Sequence, residues 1–144
     1  MKNIREISAE ETYPIRKEEL RKNVTLSHKM KGDDEPGTMH LGLFLDGTLV
    51  SIASFMSSTL NDSGDKQYQL RGMATAGAYQ GRGYGRELLS SAEERLRQRG
   101  VDLLWCNARV VALEFYRKMG YEVMGGPFDL PQIGTHYKMY KALG

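Results

Sequence analysis

The stretch that decides the fold reads QLRGMAT at residues 69–75 and, after a short gap, QGRGYG at residues 80–85. The first part is predicted to form a strand, and the second a turn that requires glycine. Residues 86–99 behind the turn have the pattern of an amphipathic helix, with an apolar face formed by Leu88, Leu89, Ala92 and Leu96. A helix start directs backbone N–H groups and partial positive charge at one point, and Arg82 and Arg86 add full charges beside it. The turn is therefore expected to bind phosphate.

The class of phosphate ligand follows from what the turn lacks. A Walker-type loop ends in Gly-Lys-Ser/Thr, whereas this turn ends in Gly85-Arg86-Glu87. A dinucleotide fold needs a differently placed third glycine and an acid at the end of the next strand, whereas Asp102 lies at the start of that strand. We expect the turn to hold the pyrophosphate of a nucleotide-like cofactor, and an ordinary tight turn is the alternative.

Length and composition bound the class of protein. The 144 residues predict one domain spanning 1–144, with 40% hydrophobic and 26% charged residues, as in an ordinary globular protein. The net charge of +2 argues against a nucleic-acid binder. No apolar run is long enough to span a membrane, and no secretory signal precedes the first strand. Because the single Cys106 cannot form an internal disulfide, we expect a cytoplasmic location.

The periodicity of apolar residues predicts seven strands and three or four helices. Strands are expected at residues 3–7, 40–45, 48–56, 67–75, 102–107, 121–124 and 135–140. The first helix is expected to begin at a capping box of Ser8 and Glu11 and to run to about Arg21, with a distortion at Pro14. A short helix is expected near His28 and Met30, and longer ones at residues 86–99 and 109–119.

Turn residues join these elements into a mixed α+β sheet. Asp46-Gly47 predicts a hairpin, residues 61–65 a turn, and a Gly/Pro loop separates the last two strands. A right-handed crossover is expected from the strand at 67–75 through the helix to the strand at 102–107. An ion pair of Glu93 with Arg97 is expected on the solvent face of that helix.

Two segments resemble the GNAT superfamily of N-acetyltransferases. QGRGYG resembles its acyl-CoA pyrophosphate loop, and ALEFYRKMGY at residues 112–121 resembles its Ala-x-x-Phe-Tyr-x-x-x-Gly-Phe segment. The resemblance implies a mostly antiparallel sheet of six to seven strands flanked by about four helices, and acetyl-CoA as cosubstrate. The implied acetyl-CoA contacts are Met73, Ala74, Thr75, Gln80, Gly81, Arg82, Gly83, Tyr84, Gly85, Arg86, Asn107 and Tyr116.

A closer resemblance is to the bacterial glyphosate N-acetyltransferases. It is carried by residues 68–75, 102–109 and 133–141, and by the spacing of Tyr13, Ile15, Arg16, Leu20 and Arg21; residues 22–25 depart from that family's pattern. The resemblance implies that an anionic amino-acid-like or aminophosphonate substrate is held by Arg21, Arg71, Arg109 and His136. It also implies that His136 is the general base and that Tyr116 lies beside the sulfur of CoA.

Each of these residues also has a purely structural interpretation. A histidine can accept a proton near neutral pH, since its ordinary pKa is about 6.5, but His136 could equally be a satisfied strand residue. Tyr116 could be a core aromatic residue, the arginines could form salt bridges, and the Met73 N–H, which could polarise a carbonyl, could be paired within the sheet. The histidines and Cys106 lack metal-ligand spacing, so no metal is predicted.

The sequence predicts an acetyl-CoA-dependent N-acetyltransferase that transfers acetyl directly to a small anionic amine. The first alternative is the same reaction on a polyamine or a protein amine, and the second is a non-catalytic acyl-CoA-binding module. A polyamine suits an arginine-lined pocket poorly because both are cationic. The expected partners are a small-molecule amine, no nucleic acid and no membrane, in a monomer or homodimer.

Overall fold

A computed structural model describes residues 1–63 and 65–144. Gly64, within the turn predicted at residues 61–65, lies outside the described residues. The strands are β1 (Lys2–Ile7), β2 (Met39–Leu45), β3 (Thr48–Ser57), β4 (Gln67–Thr75), β5 (Leu103–Arg109), β6 (Glu122–Leu130) and β7 (Gly134–Ala142). The helices are α1 (Ala9–Ile15), which continues as a π-helical turn (Arg16–Leu20), α2 (Tyr84–Gln98) and α3 (Leu113–Lys118), with 3-10 turns at Gly77–Tyr79 and Val110–Ala112.

The seven strands form one sheet in the order β1-β2-β3-β4-β5-β7-β6. The β4–β5 pair is parallel, and the other pairs are antiparallel. Parallel neighbours need a long connection, which α2 supplies here. The mixed, mostly antiparallel α+β sheet predicted from the sequence is therefore confirmed. Within the described residues, no helix is both long and apolar enough to cross a membrane.

Helices cover both faces of the sheet. Leu88, Leu89 and Leu96 of α2 are fully buried in one cluster with Ala53 and Phe55 of β3. Ile15 of α1 packs in a second cluster with Ile52 and Ala74. Because Ile52 and Ala53 are adjacent in a strand, they point to opposite faces, so α1 and α2 lie on opposite sides of the sheet.

The predicted distortion of the first helix is confirmed. Ser8 and Glu11 form the capping box that starts α1. Pro14 lies inside the helix, and the chain widens directly afterwards into a π-helical turn in which the Arg21 N–H bonds the Arg16 carbonyl. Proline has no N–H for the regular ladder and crowds the preceding turn, which favours this widening.

The short helix predicted near His28 and Met30 is wrong. Residues 22–38 contain turns and bends only. The Asp33 carboxylate accepts a hydrogen bond from the Met30 N–H and two from the Arg16 guanidinium. A side chain that binds nearby backbone in this way competes with helical hydrogen bonds, and here it folds the loop around a buried carboxylate.

Two boundaries in the C-terminal half also differ from the prediction. Arg109 belongs to β5, and the α-helix begins only at Leu113, so the predicted helix at 109–119 is too long. The predicted Gly/Pro loop is instead part of β6, whose register with β7 shifts between Met124 and Phe128. This strand is at the sheet edge, where a bulge accommodates Pro127 and the glycines before it.

The predicted ion pair between Glu93 and Arg97 is wrong as well. Glu93 is 4% exposed and accepts hydrogen bonds from the Tyr121 hydroxyl at 2.7 Å and from Lys141 Nζ at 2.9 Å. Arg97 pairs instead with Glu94 at 3.6 Å. Glu93 lies within the buried face of α2, so its charge needs partners from the core, and β7 supplies the cation.

Candidate active site

β4 and β5 separate in the middle of the sheet. Their pairing begins at Gln67 with Leu103 and ends at Leu70 with Cys106, so residues 71–75 of β4 extend beyond it. On the other side, Ile52 pairs with Ala74 and Ser54 with Arg71, so the register skips Gly72 and Met73. Gly72 has φ +61°, a conformation that favours glycine. This bulge and the early end of the pairing open a cleft along the C-terminal half of β4.

The glycine-rich turn lines a cavity of about 330 Å³ at the start of α2, which we call the turn cavity. Gly81 (φ +77°) and Gly83 (φ +82°) have left-handed conformations, and a Cβ at either position would meet no protein atom within 4 Å. Gly83 caps α2 without a side-chain hydrogen bond. The first N–H groups of α2 therefore adjoin open space that could take an anion.

The turn is fastened to the end of β4. Gln80 Nε2 donates to the Thr75 carbonyl at 2.9 Å and to Glu19 Oε1 at 3.1 Å. A Cβ on Gly85 would lie 3.4 Å from Met73 Cε and 3.9 Å from Phe115 Cζ, so this glycine allows α2 to approach β4 closely. Gln80 and Gly85 thus position the turn from opposite ends.

Seven of the twelve predicted acetyl-CoA contacts line the turn cavity, whereas Met73, Asn107 and Tyr116 line a second cavity described below. The turn cavity is lined by Thr75, Tyr79, Gln80, Gly81, Gly83, Tyr84, Gly85, Arg86, Phe115, Lys118 and Met119. Lys118 adds a cation that was not predicted. Arg82 lies with its guanidinium carbon 6.0 Å from the Tyr79 ring, outside the lining. Ala74 is buried against Ile15 and Ile52.

A second cavity of about 330 Å³, which we call the arginine cavity, lies at the separation of β4 and β5. It brings together all the predicted substrate and proton-transfer residues, namely Arg21, Arg71, Arg109, Tyr116 and His136. Met73, Cys106 and Asn107 belong to the same lining. Arg109 and His136 are directly opposite each other on β5 and β7, so their side chains share one face of the sheet. Phe128 of β6 continues the same row.

His136 is held in one orientation. It is 4% exposed, and its Nδ1 lies 2.7 Å from the Gly134 carbonyl oxygen. A carbonyl only accepts hydrogen bonds, so Nδ1 carries the hydrogen in the neutral ring. Nε2 then has the free lone pair, which is the state required of a proton acceptor.

The three arginines of the cavity have no acidic partner among the described residues. Arg21 donates to the Ser27 and Leu20 carbonyls at 2.9 and 3.2 Å, and Arg71 approaches the Lys31 carbonyl at 3.5 Å. Burial, and then the charges of Arg71 and Arg109, lower the pKa of Arg21. Burial and the charge of Arg16 lower the pKa of Arg71. Arginines stay protonated near neutral pH, so the cavity concentrates positive charge.

Tyr116 and Cys106 both carry their protons at neutral pH. Burial raises the pKa of Tyr116 far above its ordinary value, and burial raises the pKa of Cys106 to about 12. The Tyr116 hydroxyl lies 3.8 Å from Met73 Sδ, and its ring packs edge-on against Tyr121 at 5.6 Å. Tyr116 is therefore both a core aromatic residue and a hydroxyl donor at the cleft.

Two features around the cavity were not predicted. Arg16 is fully buried and forms a two-pronged pair with Asp33 at 2.8 and 3.0 Å. Burial is the largest single influence on the pKa of Asp33 and raises it, but the hydrogen bonds from Arg16 and from the Met30 N–H, together with the charges of Arg16 and His40, lower it overall. Thr25 and Gln132 exchange hydrogen bonds of 2.7 to 3.0 Å between two loops. Arg16 belongs to the segment from Tyr13 to Arg21 that carried the family resemblance, but nothing in the sequence indicates that Arg16 pairs with Asp33.

The remaining histidines lie outside this cavity. His40 bonds the Ser54 hydroxyl and the Asp33 carbonyl, and His28 packs edge-on against Tyr13. Among the described residues, no group of three His, Cys, Asp or Glu side chains could hold a metal ion. Asn107 accepts a hydrogen bond from Lys138 at 3.3 Å.

Comparison with known proteins places these residues in a family. Residues 1–121 match the sequence model of the acetyltransferase (GNAT) family. YitI of Bacillus subtilis (strain 168), an uncharacterised N-acetyltransferase, is 43% identical over 147 aligned residues, which cover 99% of this chain and 97% of YitI.

Solved structures share the fold. An acyl-CoA N-acyltransferase from Pseudomonas aeruginosa has a TM-score of 0.81 at 16% identity, covering 99% of this chain and 100% of that one. An aminoglycoside 6′-N-acetyltransferase in complex with coenzyme A has a TM-score of 0.79 at 13% identity, covering 98% and 97%.

Proposed function

The chain belongs to the acetyltransferase (GNAT) family of enzymes, and from this premise we propose that it transfers an acetyl group from acetyl-CoA to the amine of a small anionic acceptor. One observation carries the acceptor class: Arg21, Arg71 and Arg109 line one cavity and have no acidic partner among the described residues. Guanidinium groups suit carboxylate and phosphonate because they donate paired hydrogen bonds to them. An anionic acceptor would supply the missing counter-charge.

The turn cavity suits the pyrophosphate of acetyl-CoA. The N–H groups of residues 81–86 would hold the phosphates, with Arg86 and Lys118 as cations in the lining. The open conformations of Gly81 and Gly83 leave room for close approach. The stretch of β4 from Met73 to Thr75, which extends beyond the pairing with β5, leads from this turn to the arginine cavity, where the Met73 N–H would polarise the acetyl carbonyl. Bound acetyl-CoA supplies the acetyl group as an activated thioester.

His136 and Tyr116 are proposed to move the two protons of the reaction. The lone pair on His136 Nε2 would accept the proton that the acceptor amine loses as its nitrogen bonds to the acetyl carbon. As the carbon–sulfur bond breaks, the Tyr116 hydroxyl would donate its proton to the sulfur. Burial keeps the Tyr116 phenol protonated, so it carries a proton at this point of the cleft. A positioned base and a positioned acid at one cavity favour an enzyme over an acyl-CoA-binding module.

The finer acceptor is proposed to be amino-acid-like or an aminophosphonate such as glyphosate. This rests on the clustering of Arg21, Arg71, Arg109 and His136, the residues that the resemblance to glyphosate N-acetyltransferases implies. A polyamine would be repelled by the same arginines, and a protein amine would need an acidic terminus to satisfy them. A single domain, a small-molecule partner, a cytoplasmic location and a monomer or homodimer stay predictions.

An acetyl-CoA consumption screen tests this proposal. The panel contains amino acids, their phosphonate analogues, glyphosate, the neutral amides of the same amino acids and the polyamine spermidine. We expect turnover of carboxylate- or phosphonate-bearing amines and little turnover of amides or spermidine. Preferential turnover of spermidine or of the amides would contradict the proposed acceptor class.

A further inference from the structure

A third cavity, of about 540 Å³, adjoins the arginine cavity; we call it the loop cavity. Gln69 and Arg71 line both cavities. These two residues are two positions apart on β4, so both side chains point to the same face of the sheet. The two cavities are therefore neighbours on one face of the sheet, with Gln69 and Arg71 in the lining of both.

The outer wall of the loop cavity is fixed, although residues 31–38 form no regular helix or strand. The buried pair of Asp33 with Arg16 anchors its middle. The Thr38 hydroxyl donates to the Gly32 carbonyl at 2.5 Å, and the Tyr68 hydroxyl donates to the Gly37 carbonyl at 2.8 Å. A cavity whose walls are held before a ligand arrives costs little ordering free energy on binding.

The groups that face this cavity favour an anion. Lys31 and Arg71 contribute two cations against one acidic residue in the lining, Glu35, and both Lys31 and Glu35 are exposed. Among the described residues, the Lys31 ammonium and the Gln69 amide have no ion-pair or hydrogen-bond partner. The side-chain amide of Gln69 can donate two hydrogen bonds to an oxygen.

We propose that the loop cavity is a second acceptor subsite, which takes the carboxylate-bearing far end of an elongated acceptor. The acceptor's amine and near anionic group would lie in the arginine cavity, its chain would pass Arg71 and Gln69, and its far carboxylate would meet Lys31. This inference rests on the proposed function and extends it to a longer acceptor, whose far carboxylate lies outside the arginine cavity.

Three acceptors separate the subsite from the main site. Alanine is short, norleucine is long with an apolar end, and 2-aminoadipate has the same main-chain length as norleucine but ends in a carboxylate. In the wild type we expect kcat/KM for 2-aminoadipate to exceed that for norleucine by about tenfold. Lys31→Ala is expected to raise the KM for 2-aminoadipate by about threefold to tenfold and to leave alanine unchanged, because Lys31 lines only the loop cavity.

Lys29→Ala is the matched control. It removes the same charge from the same loop, but Lys29 lines neither cavity. Two outcomes would overturn the subsite and leave the proposed function standing. One is that alanine is acetylated while kcat/KM is equal for the two long acceptors. The other is that Lys31→Ala and Lys29→Ala change the KM for 2-aminoadipate equally. If none of the three acceptors is acetylated and only cationic amines are, the proposed function fails and the subsite fails with it.

Discussion

At the scale of single residues, the orientation of His136 is the most informative detail. Its Nδ1 is engaged by the Gly134 carbonyl on its own strand, so Nε2 is the nitrogen left for chemistry. Cys106 shows the contrast, because burial raises the pKa of its thiol to about 12 and makes it a poor nucleophile. A direct transfer, with the histidine as base and no acyl-cysteine, is the reaction that these two environments favour.

His136→Ala tests the base. We expect kcat to fall by about 10²–10⁴-fold, because positioned proton transfer contributes on that scale. Acetyl-CoA binding, measured by calorimetry, is expected to persist, because the turn cavity lies on other segments. If the variant keeps the wild-type rate and the same pH–rate limb with one acceptor, His136 is structural and another group takes the proton.

The pair of Arg16 and Asp33 predicts a large effect on stability. Asp33→Ala leaves the fully buried Arg16 without its carboxylate, and breaking such a pair typically costs about 3–5 kcal/mol. Urea unfolding at pH 7 measures the loss. Asp34→Ala in the same loop is the control, since Asp34 is exposed.

The same pair predicts how stability depends on pH. The pKa of Asp33 is lower in the folded protein than its ordinary value of 3.8. As the pH falls, the Asp33 carboxylate of the unfolded chain is therefore protonated at a higher pH than that of the folded protein. The stabilisation is complete above that ordinary value and is lost as the pH drops through the folded pKa. The gap between wild type and Asp33→Ala should therefore narrow below about pH 4. An equal gap at pH 7 and at pH 3 would show that the ionised pair contributes nothing.

At the scale of elements, the glycine-rich turn and the start of α2 act as one unit. Gly83→Val is expected to abolish measurable acetyl-CoA binding in a folded protein, because Gly83 has φ +82° and its missing side chain leaves the turn open. Calorimetry with CoA measures the affinity. Gly47→Val is a matched control, since Gly47 has φ +86° and equally open surroundings but lies in the β2–β3 hairpin. Unchanged CoA affinity in folded Gly83→Val would remove the pyrophosphate assignment.

Local signals explain which elements the sequence predicted correctly. Asp46 and Gly47 both have positive φ, as a two-residue hairpin turn with this sequence requires, and β4 has the predicted bounds. The capping box likewise depends on residues three apart. Each of these features depends on neighbours along the chain, so a single sequence is sufficient to identify it.

Partners that are distant in sequence explain what was missed. Glu93 was placed in solvent because Lys141, its partner, is 48 positions away. The same holds for Asp33 and Arg16, which lie on different elements, and for the bulge that carries Pro127 within β6. The residues that the family resemblance named do line one cavity, although they are far apart in the sequence, because a resemblance carries information about distant positions; their roles stay predictions.

At the scale of the whole molecule, the turn cavity and the arginine cavity lie at different places along β4. The turn cavity lies at the start of α2, and the arginine cavity lies where β4 and β5 diverge, with residues 71–75 between them. Thr25 and Gln132 join two loops by hydrogen bonds, and Ile133, which follows Gln132, lines the arginine cavity. Cosubstrate and acceptor would thus approach residues 71–75 of β4 from different sides, which suits direct transfer between them.

The central claim is that the arginine cavity selects an anionic acceptor for acetyl transfer. Its most direct test is kcat/KM for the best anionic amine of the screen and for its neutral amide, on wild type and on Arg109→Gln. The account predicts that the wild type prefers the anion and that Arg109→Gln loses about 2–5 kcal/mol of transition-state binding for the anion only, while the acetyl-CoA KM is unchanged. Equal loss for the anion and the amide, or no loss for either, would contradict it.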